Sequence, residues 1–303
     1  MILDFDMLLE KSISRGPKRV AIAAADDYET LAAVVEAYEV GIAEPILVGN
    51  REWIDVIFER LGKMGDDLKI VHVKEPASAA VAAADIVRSG GADILMKGNV
   101  VTSKFLHAAL GPSGSLKSGL LSDVEVYEDT RSNSTRLVLV SDGGINISPG
   151  IRQKMDIIKN AVAVAHKLGI MRPKVALLSG SERVHPDFQS TIDAVALVKM
   201  CQEGAIEDCV VDGPFALDNA IDMVSARQKG IESPVAGNAD ILIVPNLEAG
   251  NIFCKGLQYY GDKMLIHVAL GAKVPILIDS RTATAPEKLR SMALATLMCG
   301  GTN

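Results

Sequence analysis

Cysteine and aromatic side chains are scarce in this 303-residue sequence, and each shortage argues against a class of protein. The four cysteines form no CxxC pair and have no matching pair of histidines, so we expect neither a structural zinc site nor a disulfide frame. Reduced thiols of this kind are typical of the cytoplasm. Six Phe, five Tyr and one Trp are too few for a surface that stacks single-stranded bases.

Basic charge, long apolar runs and targeting segments are also lacking. Lys and Arg total 31 against 38 Asp and Glu, a net charge of −7, which argues against a nucleic-acid partner because phosphate backbones bind to basic faces. The apolar runs end well before the ~18 residues of a membrane-spanning helix, and no basic segment with a following apolar one comes after Met1. We therefore expect a cytoplasmic protein without a membrane partner.

Common cofactor signatures are missing as well. No GxGxxG follows a predicted strand, and no loop ends in the GK[ST] of a Walker A motif. The five histidines show neither HxxxH nor HExxH spacing. The sequence therefore predicts no metal and no resident cofactor.

The sequence does contain a regular alternation of predicted strands and helices. Short apolar, β-branched runs alternate with amphipathic stretches of helical period, which predicts βαβ units and an α/β fold with mostly parallel sheets. The predicted strands are residues 20–25, 45–48, 69–73, 93–96, 136–140, 174–179, 209–211, 240–244 and 274–278. So many strands favour two α/β domains, residues 1–130 with 272–303 and residues 131–271. Residues 111–136, rich in Gly, Ser and charge, are predicted to form a mobile loop and an irregular hairpin.

Ligands of parallel α/β sheets bind at the carboxyl ends of strands, so the residues that follow each predicted strand are the candidates. After the fourth strand, Gly98 gives a turn and Thr102 begins a helix whose free N–H groups favour an anion; a plain helix cap is the alternative. After the fifth strand, Asp142 and Asn146 flank paired glycines that allow a close approach, and a plain Asx turn is the alternative.

Two later strand ends carry further polar or small residues. After the seventh strand, Asp212 and Asp218 could face one cleft, although Asp218 also suits the first turn of a helix. After the eighth strand come Asn246, Gly250 and Asn251, where small side chains admit a ligand or, alternatively, allow a helix to pack closely on a strand.

The last strand is followed by an arginine, a hydroxyl and a carboxylate. Arg281 can pair with a phosphate through its two-pronged guanidinium, Ser280 supplies the hydroxyl and Glu287 the carboxylate. Thr284 and Glu287 also fit a TxxE capping box, so a structural Glu287 is the alternative. Together, the strand ends predict an anion-binding cleft between two α/β halves.

Three stretches and one pair of residues carry a resemblance. They are residues 141–146 (SDGGIN), 211–220 (VDGPFALDNA), 244–251 (VPNLEAGN) and Ser280-Arg281. With them, nearly the whole chain resembles the phosphate acetyltransferase/phosphate butyryltransferase family, and residues 141–146 are closer to the butyryl branch. The resemblance implies an isocitrate/isopropylmalate dehydrogenase-like architecture of two α/β domains with an interdomain cleft, in a homodimer or larger homo-oligomer. The implied reaction converts acyl-CoA and phosphate to acyl phosphate and CoA, so that coenzyme A is a substrate.

The same resemblance implies roles for individual residues. Ser280 and Arg281 match the pair that contacts the phosphorylated substrate, and Glu287 occupies the position of the acid that takes the thiol proton. Asp218 is the other candidate base. Cys254 stands where tyrosine is common, and Thr282, Ala283 and Thr284 also depart from the family pattern, which bears on the shape of the pocket. The predicted substrate or CoA contacts are Gly98, Thr102, Asp142, Asn146, Asp212, Asn246, Gly250 and Asn251.

The mechanism that follows is direct transfer in a ternary complex. The CoA thiolate attacks the acyl carbon while Ser280 and Arg281 stabilise the charges that develop. An acyl-enzyme formed on Cys254 is the rival route. The alternatives for the function are acetyl rather than butyryl specificity, a metal- or NAD-dependent dehydrogenase of the same fold, and a non-catalytic protein that binds CoA or acyl phosphate.

Overall fold

The chain forms two compact units. The computed structural model describes residues 1–63, 65, 67–112, 116–131 and 134–300. The terminal unit comprises Phe5–Gly119 and Ile266–Asn303, and the central unit comprises Met1–Asp4 and Leu120–Leu265. In both units strands alternate with helices, so the predicted α/β class is confirmed.

The strands coincide with the apolar runs of the sequence. In chain order they are β1 (Lys18–Ala23), β2 (Ala43–Gly49), β3 (Lys69–His72), β4 (Ile94–Lys97), β5 (Lys117–Asp129), β6 (Arg136–Ser141), β7 (Lys174–Leu178), β8 (Val210–Phe215), β9 (Ile241–Ile243), β10 (Ile266–Ala272) and β11 (Ile276–Leu277). Each predicted strand is present, and β5 and β10 are additional.

Helices occupy the amphipathic stretches between the strands. In chain order they are α1 (Phe5–Arg15), α2 (Tyr28–Glu39), α3 (Arg51–Leu61), α4 (Pro76–Arg88), α5 (Thr102–Leu110), α6 (Ile151–Lys167), α7 (Gln189–Gln202), α8 (Leu217–Ile221), α9 (Met223–Gln228), α10 (Leu247–Tyr259) and α11 (Ala285–Met298). Asp222 separates α8 from α9, because its carboxylate accepts the backbone N–H of Ser225 and so begins a new helix.

The sheet of the terminal unit has the strand order β3-β2-β1-β4-β11-β10. Its strands are parallel except for β10, which runs antiparallel to β11. Ala23 of β1 lies beside Lys97 of β4, and Met96 of β4 lies beside Leu277 of β11. The carboxyl ends of these three central strands therefore meet at one edge, where ligands of such sheets bind.

The central unit has the strand order β5-β6-β9-β7-β8. β5 is antiparallel to β6, and the other neighbours are parallel. An apolar core that includes Tyr127, Val138, Leu242 and Cys254 packs against these strands. As in the terminal unit, the parallel strands bring their carboxyl ends to one edge.

In residues 111–136 the predicted hairpin is present, since β5 pairs antiparallel with β6, but the predicted mobile loop is wrong. Instead of a mobile loop, half of the segment is the 13-residue strand β5, which is buried from residue 121 to residue 127. Ser122, Asp123 and Glu125 lie within that buried run, and such polar side chains interrupt the apolar pattern from which strands are predicted. Residues 113–115 and 132–133 of the segment lie outside the described residues.

Strand pairing explains where the two units divide. β5 pairs with β6, so most of β5 belongs to the central unit, and the first boundary falls within β5 after Gly119, whereas the sequence placed it after residue 130. β10 pairs with β11, so the second boundary falls after Leu265, whereas the sequence placed it after residue 271. Met1–Asp4 joins the central unit, where the N–H of Ile2 donates to the carbonyl of Leu168 at 2.8 Å.

Candidate functional site

The carboxyl edge of the terminal unit's sheet carries a cluster of buried charges. β4 ends at Lys97, and Asp279 follows the neighbouring strand β11. Asp279 is 1% exposed, while Lys97 and Lys288, the latter from the first turn of α11, are each 3% exposed. Ionised side chains are buried this deeply only where other charges or hydrogen bonds compensate for the lost water. The cluster is therefore a candidate site for a charged ligand.

Asp279 is the anionic centre of the cluster. Its Oδ1 lies 3.0 Å from Nε2 of His267, whereas its Oδ2 accepts no hydrogen bond from the described residues. Burial alone would raise the pKa of this carboxyl, but the nearby His267, Lys288 and Lys97 hold it below its usual value. Asp279 is consequently an ionised carboxylate with one oxygen still open to a donor.

The two lysines are cations without a close counter-ion. The ammonium of Lys97 donates to the carbonyl of Gly98 at 3.3 Å, and that of Lys288 donates to the carbonyl of Ser280 at 3.4 Å. Within the described part of the chain, neither ammonium has a carboxylate at ion-pair distance. Burial lowers the pKa of Lys97, and the charge of Lys288 lowers it further, whereas Asp279 raises it.

Ser280 and Arg281 extend from this cluster to the surface. Both side chains are exposed, and the Ser280 hydroxyl shares a hydrogen bond of 3.0 Å with that of Thr282. Lys288 holds the loop by its bond to the Ser280 carbonyl. The predicted pair thus lies at the carboxyl edge of a parallel sheet beside buried positive charge, which is a suitable place to bind an anion.

Glu287 begins the helix that follows this loop. Its Oε2 accepts hydrogen bonds from the backbone N–H of Thr284 at 2.8 Å and from the Thr284 hydroxyl at 3.0 Å, which completes a capping box. The structural alternative given for Glu287 is therefore what the structure shows. A second role as proton acceptor stays a prediction.

Gly98 and Thr102 are close in sequence but have different structural roles: Gly98 allows a close backbone contact, whereas Thr102 is exposed at the start of a helix. A Cβ on Gly98 would come within 2.2 Å of the Ala24 carbonyl oxygen, so the glycine lets the chain pass the end of β1. The N–H of Asn99 donates to the same carbonyl at 2.7 Å. Ala24 itself has a φ of +54°, an unusual value for a residue with a side chain. Thr102 is exposed at the first position of α5, whose N-cap is Val101.

In the central unit, Asp142 and Asn146 form a closed turn. Asp142 is 3% exposed, and its carboxylate accepts the backbone N–H groups of Gly144 and Ile145, each at 2.9 Å. It also accepts from the backbone and the side chain of Asn146, whose amide donates in addition to the carbonyl of Leu121. Burial raises the pKa of Asp142, and the neighbouring Asp123 raises it further. The Asx turn is thus present at this strand end.

The residues after β9 serve to pack and cap α10. A Cβ on Gly250 would lie 2.7 Å from the Cα of Gly143, so the two glycines let helix and loop backbones touch. Asn246 caps the helix by accepting the N–H of Ala249 at 2.9 Å. Asn251 is exposed on the first turns of that helix. Close helix packing, the alternative given for Gly250, explains that glycine. Of the three predicted residues, Asn251 is the exposed one.

Asp212 and Asp218 also have local partners. Asp212 accepts the N–H of Gly213 at 2.8 Å and the hydroxyl of Ser233. Asp218 is 48% exposed and lies 3.0 Å from the ammonium of Lys229. The structure therefore places Asp218 in a surface ion pair with Lys229.

Cys254 lies deep in the central unit. It is 6% exposed, and burial raises the pKa of its thiol well above the usual range, with Glu125 and Asp123 raising it further. The thiolate is the nucleophilic form of cysteine, and both burial and negative neighbours oppose it. The site is thus built to keep Cys254 protonated.

The site residues predicted from the sequence do not include Lys97, Asp279, Lys288 and His267. The available signal was a charged residue at or just after the end of an apolar strand, as at Lys97 and Asp279. Nothing in the sequence reveals that Lys288 and His267 face the same cluster, because that depends on how α11 and β10 pack. No set of three or more His, Cys, Asp or Glu side chains among the described residues is arranged to hold a metal, and no helix among them is long and apolar enough to cross a membrane.

Comparisons with known proteins cover nearly the whole chain. The family model described as phosphate acetyl/butaryl transferase matches residues 51–296. A phosphate butyryltransferase from Clostridium beijerinckii is 40% identical over 299 residues, 98% of each chain. A phosphate acetyltransferase from Thermotoga maritima is 39% identical over 293 residues, 95% of this chain and 99% of that protein.

Solved structures give the same picture of the fold. A branched-chain phosphotransacylase from Enterococcus faecalis superposes with a TM-score of 0.80 at 28% identity, over 93% of this chain and 100% of that one. A 4-hydroxythreonine-4-phosphate dehydrogenase from Burkholderia phymatum has a TM-score of 0.54 at 12% identity, over 94% of this chain and 99% of that one. The latter is a likeness of fold alone.

Proposed function

Because the chain belongs to the phosphate acetyl/butyryl transferase family and is a phosphate acyltransferase, we propose that it exchanges a short-chain acyl group between coenzyme A and inorganic phosphate. The observation that carries this proposal is the pair Ser280-Arg281 at the carboxyl edge of the terminal unit's sheet, beside buried cations without a close counter-ion. Coenzyme A, phosphate and acyl phosphate are the substrates, and no resident cofactor takes part. We further propose a cytoplasmic homodimer or larger homo-oligomer.

The residues of the loop suit the charges of this reaction. When the CoA thiolate attacks the acyl carbon of an acyl phosphate, a C–S bond forms, the C–O bond to phosphate breaks, and phosphate leaves with the electron pair. Ser280 donates a hydrogen bond to the carbonyl oxygen as negative charge builds there. Arg281 neutralises the departing phosphate with paired N–H donors. The reverse reaction uses the same contacts.

The thiol proton needs an acceptor. An unperturbed cysteine thiol has a pKa of ~8.5, so an alkyl thiol such as that of CoA is mostly protonated at neutral pH, and attack requires a base. Glu287 and Asp218 are the candidates. Glu287 belongs to the same unit as Ser280 and Arg281 but uses Oε2 in the capping box, while Asp218 is exposed in an ion pair of the central unit. We favour direct transfer with one of these two carboxylates as base.

The proposed function is tested by mixing the purified chain with butyryl-CoA in the presence and absence of phosphate. We expect free thiol only when phosphate is present, with one acyl phosphate formed for each thiol released. Acetyl-CoA should react with a kcat/KM lower by about 100-fold, since it lacks two methylenes and each contributes on the order of 10-fold to binding in an apolar pocket. Reduction of NAD, or binding of butyryl-CoA without turnover, would contradict the proposal, and faster reaction of acetyl-CoA would assign acetyl specificity.

Direct transfer makes a second prediction about Cys254. Because its thiol is held protonated by burial and by Glu125, Cys254→Ser should keep phosphate-dependent turnover within about 2-fold of the wild type. Initial rates at several fixed phosphate concentrations should give intersecting double-reciprocal lines. Parallel lines together with an inactive serine variant would instead establish a covalent acyl-enzyme.

A further inference from the structure

The segment after β4 is fixed firmly against β1. The N–H of Gly98 donates to the carbonyl of Ala23 at 2.8 Å, and the N–H of Asn99 donates to that of Ala24 at 2.7 Å. Gly98 leaves no space for a side chain at this point. The backbone of Lys97 is therefore held at the carboxyl edge of the sheet by contacts on its C-terminal side.

The ammonium of Lys97 has more donors than it uses. Of its three N–H groups, one accounts for the bond to the Gly98 carbonyl, and that bond is long at 3.3 Å. Lys288 is in the same state, with a single bond of 3.4 Å to the Ser280 carbonyl. Two buried ammonium groups that each keep donors available are costly for a fold unless something binds to them.

Lys97 lies among both positively and negatively charged side chains. The charges that act on Lys97 are two cations, Lys288 and Arg281, and two carboxylates, Asp279 and Asp27. Asp27 accepts a hydrogen bond from the hydroxyl of Thr30, and Asp279 is shared with His267. Both carboxylates thus already have other partners, while the ammonium groups of Lys97 and Lys288 keep N–H groups available. A small anion with several oxygens would accept those N–H groups.

Asp279 is a buried acceptor with one oxygen atom that makes no hydrogen bond within the part of the chain that the structure describes. It is 1% exposed, and its Oδ2 accepts no hydrogen bond from the described residues. A ligand that fills the unused hydrogen-bonding capacity here has to accept hydrogen bonds from the lysine ammonium groups and donate one to Oδ2 of Asp279. Hydrogen phosphate does so, since it has three acceptor oxygens and one P–OH group, whereas a carboxylate or a chloride ion cannot donate.

We infer that Lys97 is a second phosphate-binding cation beside Arg281, and that the buried Asp279 carboxylate accepts a hydrogen bond from the P–OH of hydrogen phosphate. The inference rests on the proposed phosphate acyltransferase activity and adds the group that recognises the phosphate. Lys288 holds the Ser280 loop through its bond to the Ser280 carbonyl.

The test compares Lys97→Gln with the wild type in the direction that consumes butyryl-CoA and phosphate. We expect the KM for phosphate to rise on the order of 30-fold, the effect of losing one charge-assisted hydrogen bond, while the KM for butyryl-CoA stays within about 2-fold. Lys97→Arg, which keeps the charge, should recover most of the affinity for phosphate. Lys11→Gln, the same change on an exposed position of α1, should behave as the wild type.

Thermal unfolding separates binding from a structural role. Phosphate should raise the melting temperature of the wild type and of Lys11→Gln but not of Lys97→Gln. Lys97→Met removes a buried charge and should melt no lower than the wild type in phosphate-free buffer. A lower melting temperature for Lys97→Met, or an equal rise of both KM values in Lys97→Gln, would overturn the inference.

Failure of this inference differs from failure of the proposed function. If the wild type releases no thiol from butyryl-CoA with phosphate, the function itself is wrong. If the wild type is active and Lys97→Gln keeps both the wild-type KM for phosphate and the phosphate-dependent rise in melting temperature, only the role of Lys97 is wrong.

Discussion

Arg281→Ala should lower the kcat/KM for phosphate-dependent thiol release by on the order of 100- to 1000-fold, about 2.7–4 kcal/mol of transition-state stabilisation. The guanidinium is exposed at the carboxyl edge of the terminal unit's sheet, and among the described residues no carboxylate pairs with it, so its charge is available to a phosphate. Removing it should leave the fold intact, because it supports no neighbouring side chain. Initial rates and a urea unfolding curve, measured on the same preparation, check both statements.

Two comparison variants sharpen this experiment. Arg281→Lys keeps the charge but loses the planar fork, so it should recover only part of the lost activity. Arg51→Ala removes an exposed arginine of the same unit that pairs with Asp55 on α3, and it should keep full activity. Wild-type turnover in Arg281→Ala would reject the role assigned to Arg281.

Gly98→Ala should destabilise the protein by about 3 kcal/mol, at the upper end for overpacking a tight site. The new Cβ would lie 2.2 Å from the Ala24 carbonyl oxygen and 2.9 Å from that of Ala23, and neither backbone atom can move without disturbing β1. The shift would also displace Lys97, so turnover should fall even at temperatures where the variant is folded. Urea unfolding gives the first quantity and initial rates the second.

Gly119→Ala is the matched control for that change. A Cβ at Gly119 meets nothing within 4 Å, and the residue is exposed near the start of β5. The alanine should therefore leave the free energy of unfolding unchanged or raise it slightly, by about 0.4–1 kcal/mol, since it restricts the unfolded chain. A Gly98→Ala variant as stable as Gly119→Ala would show that the loop after β4 can relax.

The fold was predictable from the sequence because most strands are continuous apolar runs. β1 and β4, for example, alternate with helices of clear amphipathic period, as parallel α/β sheets require. β5 escaped prediction because its buried segment includes Asp123 and Glu125, whose partners come from distant parts of the chain. β10 escaped because glycine and a histidine interrupt a short run.

The candidate site was predictable only in part. Ser280 and Arg281 follow an apolar strand directly, so topology alone places them at the correct edge of the sheet. Asp142, Asn246 and Gly250 also follow strands, yet the structure commits them to turns, caps and packing. A position directly after a strand therefore does not distinguish a residue that contacts a ligand from one that stabilises a turn or a helix cap. A buried acceptor atom without a hydrogen bond from the described residues, as at Oδ2 of Asp279, is a further signal of a ligand contact, and it requires coordinates.

The central claim is that the loop carrying Ser280 and Arg281 binds the phosphate of the reaction. The most direct measurement is a crystal structure of the protein with phosphate bound. The account predicts phosphate oxygens at about 2.7–3.2 Å from the Arg281 guanidinium, with the Lys97 ammonium donating to the same anion. An ordered phosphate bound elsewhere, with Arg281 directed into solvent, would contradict it.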